Sequence, residues 1–212
     1  MVLAAAAVWY VEHRSPATRV AMQPALETFN GCGMEGDASS PAIRELNLLK
    51  NRYAVPEPEQ IDPRVTLAAI LEPGDDRTRW NDHHAAEITG YVSDVKVGGV
   101  ETVNCHAADP PDRDTHIELV LDPMNSSEDR RVIVEVTPRS RALAQQRGED
   151  WSTPALRDHF HGRWVRVSGW LLFDTEHRDQ SVNTAPGRPR DWRATAWEIH
   201  PVSSLEVVDH PR

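Results

Sequence analysis

Histidines and acidic residues recur at close spacing in the second half of the chain. His116 and Glu118 are two apart, as are Glu198 and His200, while Glu135 and His177 lie between them. Residues two apart on an extended chain share a face, so His-x-Glu and Glu-x-His each present an imidazole beside a carboxylate. Mixed imidazole and carboxylate donors suit zinc or manganese. The candidate metal set is His116, Glu118, Glu135, His177 and His200. A metal-bound water with a carboxylate base would hydrolyse a phosphoester or an amide. The competing arrangement needs no ion: Arg131 and Arg166 neutralise the glutamates on a solvated wall, and the histidines are merely exposed. Arg139, Arg166, Trp170 and Glu198 form a candidate ligand-binding set. Trp164 and Trp170 have the outward parity for stacking, whereas the other tryptophans read as packing groups. Cys105 and His106 are adjacent, so an extended chain points them apart and direct activation of a nucleophile by the imidazole is awkward. There is no GxSxG, no HExxH and no glycine-rich phosphate loop.

These residues need strands to position them. Residues 116–121 (HIELVL) and 132–136 (VIVEV) form the clearest pair. Burying Ile117, Leu119 and Leu121 with Val132, Val134 and Val136 restricts the register to alternate values. The most symmetric turn sets Glu118 opposite Glu135 and His116 opposite Thr137. Two facing carboxylates repel unless a cation or a shared proton lies between them. Residues 164–174 alternate through Val165, Val167, Leu171 and Phe173, with Gly169 marking a bulge or tight bend. Residues 86–97 form a long first strand that Gly90 bends. Two short helices, 139–146 and 155–161, lie before the 164–174 strand, with Pro138 ending the strand ahead of them. The last strands are 192–199 and 203–208, separated at Pro201.

The chain divides into an apolar segment at 1–14, a linker and packing arm at 15–80, and a β-barrel domain at 81–212. Residues 2–11 (VLAAAAVWYV) are too short to span a bilayer. They read either as the end of a signal peptide or membrane anchor, or as an ordinary N-terminal helix. In the arm, Ser40-Pro41 opens a helix carrying Ile43, Leu46, Leu48 and Leu49. Residues 53–64 hold three prolines and are extended, and 65–71 is a strand or a helical turn.

Hydrophobic residues make up 39% of the 212, enough for a folded core, and sixteen prolines favour short elements. The net charge of −10 disfavours a broad nucleic-acid surface. Cys32 and Cys105 are the only cysteines. They either pair, in an oxidising compartment, or remain buried thiols.

About five strands, with a helix before the fourth and the phrase helix-Gly-Arg-Trp-Val-Arg-Val-Ser-Gly-Trp, resemble the OB fold over residues 85–208. The expected fold is therefore mainly β: a five-stranded OB-type Greek-key barrel with one or two short helices and an N-terminal helical and extended arm. ETVNCH, DTHIEL, EVTPR and WRATAWEIHPV resemble a bacterial family of unassigned function. The OB likeness extends to its thermonuclease branch, for which Glu118, Glu135, Arg139 and Arg166 are the right residue types, although the acidic charge counts against it. The preferred expectation is an extracytoplasmic bacterial binding module, held near the membrane by its N-terminus, for a small ligand or partner protein. The alternative is a metal-dependent hydrolase using zinc or manganese, and a third role is docking of a partner chain.

Overall fold

The computed structural model describes residues 26–209, so the apolar 2–11 segment lies outside the described residues. Alternation builds five long strands: β3 (Ala85–Val97), β4 (Thr115–Val120), β5 (Val132–Val136), β6 (Trp164–Phe173) and β7 (Trp197–Val207). They close into a barrel in the order β3-β4-β5-β7-β6. Neighbours run antiparallel except β5 and β7, which are parallel. This is the OB-type Greek-key order, with the helices between its third and fourth strands. Inward residues such as Ile88, Val92, Ile117, Leu119, Val134, Val167, Leu171 and Ile199 fill the interior.

The β4–β5 parity is the expected one, but the register differs by two residues. His116 faces Glu135, and Glu118 faces Ile133. The connection between them is long, so its symmetry does not set the register; the slip exchanges a carboxylate–carboxylate repulsion for an imidazole–carboxylate attraction. The last strand is continuous through Pro201, and 192–196 precede it as loop. The β6–β7 ladder shifts register beside Gly169, and at such an irregularity a proline forfeits no ladder bond. A Cβ on Gly169 would lie 2.6 Å from Ile199 Cγ2, so the two strands meet through a bare backbone. Gly90 likewise leaves space for Leu67, whose Cδ2 would stand 2.6 Å from an added Cβ.

Pro138 does not merely end β5. It is the first residue of a helix (Pro138–Gln146) whose cap is Thr137, the side chain accepting from Ser140 N at 3.1 Å. Thr153–Phe160 follows, carrying Leu156 and Phe160 to the core.

The arm comprises α1 (Pro41–Lys50), α2 (Leu67–Leu71) and the small hairpin β1 (Thr28–Phe29) and β2 (Cys32–Gly33); the two later helices are α3 and α4. Val65, Leu67, Ile70 and Leu71 join the barrel's own core. Arg52 donates to the carbonyls of Asp82 (2.6 Å) and Leu171 (2.8 Å). Arg139 of α3, almost fully buried, donates to Leu26 O (2.6 Å), Asn51 Oδ1 (2.6 Å) and Cys32 O (3.0 Å). Cys32 and Cys105 form a disulfide that ties the hairpin to the β3–β4 connection. No helix among the described residues is long and apolar enough to cross a membrane.

Candidate functional site

Every residue of β4 and β5 is buried, including those that point out of the barrel. The outer wall of β4, β5 and the first half of β7, Trp197–Val202, is therefore covered by the chain itself. The cover is α1, the 98–114 connection and the 174–196 connection, which bring Lys50, Glu101, Asp114, Asp174, His177, Trp192 and Arg193 over the wall.

Under this cover the side chains form one continuous charged network. His116 Nε2 lies 2.8 Å from Glu135 Oε1, close enough for an ion contact but without hydrogen-bond alignment. His200 Nδ1 is 3.5 Å from Glu135 Oε2 and 3.2 Å from Glu198 Oε2, while its Nε2 is 3.7 Å from Asp114 Oδ2. Arg193 joins Glu198 to Asp174, the latter at 3.2 Å. Asp174 also takes His177 Nδ1 at 2.5 Å and stands 3.9 Å from Lys50 Nζ. Lys50 reaches Glu101 at 2.9 Å and Glu176 at 3.4 Å. Trp192 lies parallel to the His116 ring, with centroids 6.3 Å apart.

Burial and mutual charge then compete within the network. Burial pushes the Asp114 carboxyl up to about 6, with His200 opposing it. Burial also raises Glu135, but His116 and His200 outweigh it and hold that carboxyl well below the usual range. For His116, burial opposes the charge, yet Glu135 carries the imidazole up to about 9. His200 is raised in the same way by Glu135, Glu198 and Asp114 against its burial. Lys50 stays charged despite burial because Asp174 and Glu101 face it. Arg193 does so through Glu198 and Asp174.

Of the expected metal set, the fold brings together His116, Glu135 and His200. His177 is set apart on Asp174. Glu118 is committed elsewhere, contacting Lys96 and lying 3.4 Å from Arg131 Nε. Among the described residues, Asp114, Glu135 and His200 are the group that could hold a metal ion, since one donor atom of each lies within 4.8 Å of the others.

The expected ligand-binding set is not one surface. Arg139 is a buried clamp on the arm, because carbonyls and an amide fill its donors. Trp170 is buried under the arm, its indole N–H donating to Ala54 O at 2.7 Å and its ring covered by Arg52. Glu198 is sealed against Arg193. Arg166 is exposed and pairs with Glu206 at 3.3 Å, so it does not neutralise the inner glutamates.

Sequence reasoning missed Asp114, Lys50 and Arg193. Asp114 was within reach, because the His116–Glu118 alternation extended one step back includes it. Lys50 is one of only two lysines and lies on the same side of α1 as buried Leu46 and Asn47. Arg193 carries no local signal, since it sits in a polar loop and meets its partners only through the fold. No model of a known protein family matches the chain, and a comparison with curated proteins finds no match.

Proposed function

We propose that the protein is a non-catalytic OB-type binding module that works outside the cytoplasm. The observation that carries this reading is the sealing of the chemistry-bearing wall: Glu135 is 4% exposed, Glu198 1% and His200 0%. A catalytic group must touch its substrate, and no substrate-sized molecule reaches side chains enclosed this completely. OB barrels bind through this wall and the connections that flank it. Here those connections serve as its cover, which leaves the outer β3–β6 face for a larger ligand. Tyr91 and Trp164 pair there edge to face, with ring centroids 5.9 Å apart, and Arg166 and Thr89 are the next opposed pair on the same face. Half-buried aromatic rings beside an arginine suit planar or sugar ligands. The Cys32–Cys105 bond supports an oxidising compartment.

Turnover of phosphoester and amide substrates by the full chain, with zinc or manganese added, tests the first part. The expected rate equals that of the His200→Ala variant, and a rate lost in that variant would make the chain a hydrolase. Blocking thiols at the moment of cell lysis tests the second part. The expected intact mass carries no blocking group, whereas two added groups would place the protein in a reducing compartment.

A further inference from the structure

We propose that Asp114, Glu135 and His200 hold one divalent transition-metal ion, zinc or manganese, inside the covered wall. Each of the three has a buried polar atom with no hydrogen-bond partner: Asp114 Oδ1, Glu135 Oε2 and His200 Nε2. Native interiors pair nearly all such groups, because one left unpaired loses its hydration without a compensating bond. One ligand atom of each of these residues lies within 4.8 Å of the other two, so one shared partner can serve all three. A cation or a buried water can face all three at once, and the two carboxylates among them favour the cation.

The surroundings fit a ligand set. His200 Nδ1 is engaged by Glu198 Oε2 at 3.2 Å, and Arg193 holds Glu198 in turn. A carboxylate on one ring nitrogen fixes the tautomer that leaves the other free for a metal. Glu135 divides its oxygens in the same manner: Oε1 faces His116, while Oε2 makes no hydrogen bond and has His200 Nδ1 3.5 Å away. One imidazole with two carboxylates suits a borderline divalent ion, whereas calcium takes six to eight oxygens. Such a buried ion would join the 98–114 connection, β5 and β7 rather than meet a substrate.

The test is elemental analysis of the full chain, purified without chelator and also refolded in the presence of either zinc or manganese. The expected result is one equivalent per chain, with the two arms identifying the ion, and a thermal midpoint that rises on loading. Asp114→Asn and His200→Gln should each abolish stoichiometric binding. Glu198→Gln should weaken it about 10- to 100-fold, through loss of the group that orients the imidazole. His177→Ala should leave it unchanged. Less than a tenth of an equivalent in both arms would overturn the proposal, as would full retention in Asp114→Asn. Should the ligand variants fail to fold, X-ray absorption of the loaded wild type decides. One nitrogen and two or more oxygens at about 2.0–2.2 Å support the site, and sulfur or all-oxygen shells overturn it.

Discussion

Arg193→Met should lower the unfolding free energy by about 3–5 kcal/mol, the usual penalty for stranding a buried charge by deleting its partner. The guanidinium has no exposed surface and bridges Asp174 and Glu198, which are themselves sealed. Methionine keeps the approximate volume, so the loss reports charge rather than a cavity. In the variant Asp174 retains Lys50 and His177, but Glu198 keeps only the imidazole of His200. The pH dependence follows from the native Asp174 carboxyl, which is held well below its ordinary value, against burial, by Lys50, His177 and Arg193. A group with a depressed folded pKa stabilises above its unfolded value and loses that contribution as pH falls. Removing Arg193 takes away part of that contribution, so the gap between wild type and variant should be widest near neutrality and close below about pH 4. Urea unfolding at a series of pH values measures this. A gap under 1 kcal/mol at pH 7, or one that widens in acid, would contradict the charge account.

Removing the disulfide should cost about 4 kcal/mol. Cys32 and Cys105 are separated by 73 residues, and closing a loop of that length in the unfolded chain carries roughly that entropy. The Cys32→Ser/Cys105→Ser pair avoids a stray thiol and is the variant to compare. Beyond the loop term, Cys105 and His106 both have positive φ, +50° and +53°, a conformation that residues with a Cβ adopt at a cost. Backbone bonds from Cys105 N to Thr102 O and from His106 N to Glu101 O hold that turn. Glu101 is also the closest acidic partner of Lys50. Denaturant midpoints should fall, and amide exchange should quicken first in β2 and the 98–114 connection. An unchanged midpoint would mean that the arm's other anchors alone suffice.

The barrel was legible because its inward residues are branched aliphatics at alternate positions. Val132, Val134 and Val136, or Val165 and Val167, leave little choice of secondary structure. The register of β4 against β5 was not, because parity permits every second pairing and the turn between them is long. Pro201 misled for a related reason: a missing N–H ends a strand only where the ladder needs that donor. The site was legible in part. His116, Glu135 and His200 stand on alternating strands, so their outward direction could be read. Their burial could not, because it depends on what covers the wall, and the cover is built from polar segments without periodicity. Trp170 and Arg139 were misassigned on the same ground, since both lie beneath the arm.

The anchoring of the arm has a consequence for the order of events during synthesis. Residues 26–71 leave the ribosome well before their partners Arg139, Leu171 and Asp174 are made. Cys32 and Cys105, by contrast, are both available once half the chain exists. In an oxidising compartment the covalent link can therefore fasten the waiting arm to the start of the barrel before its last two strands pair, so that the arm is already at hand when they close over the core.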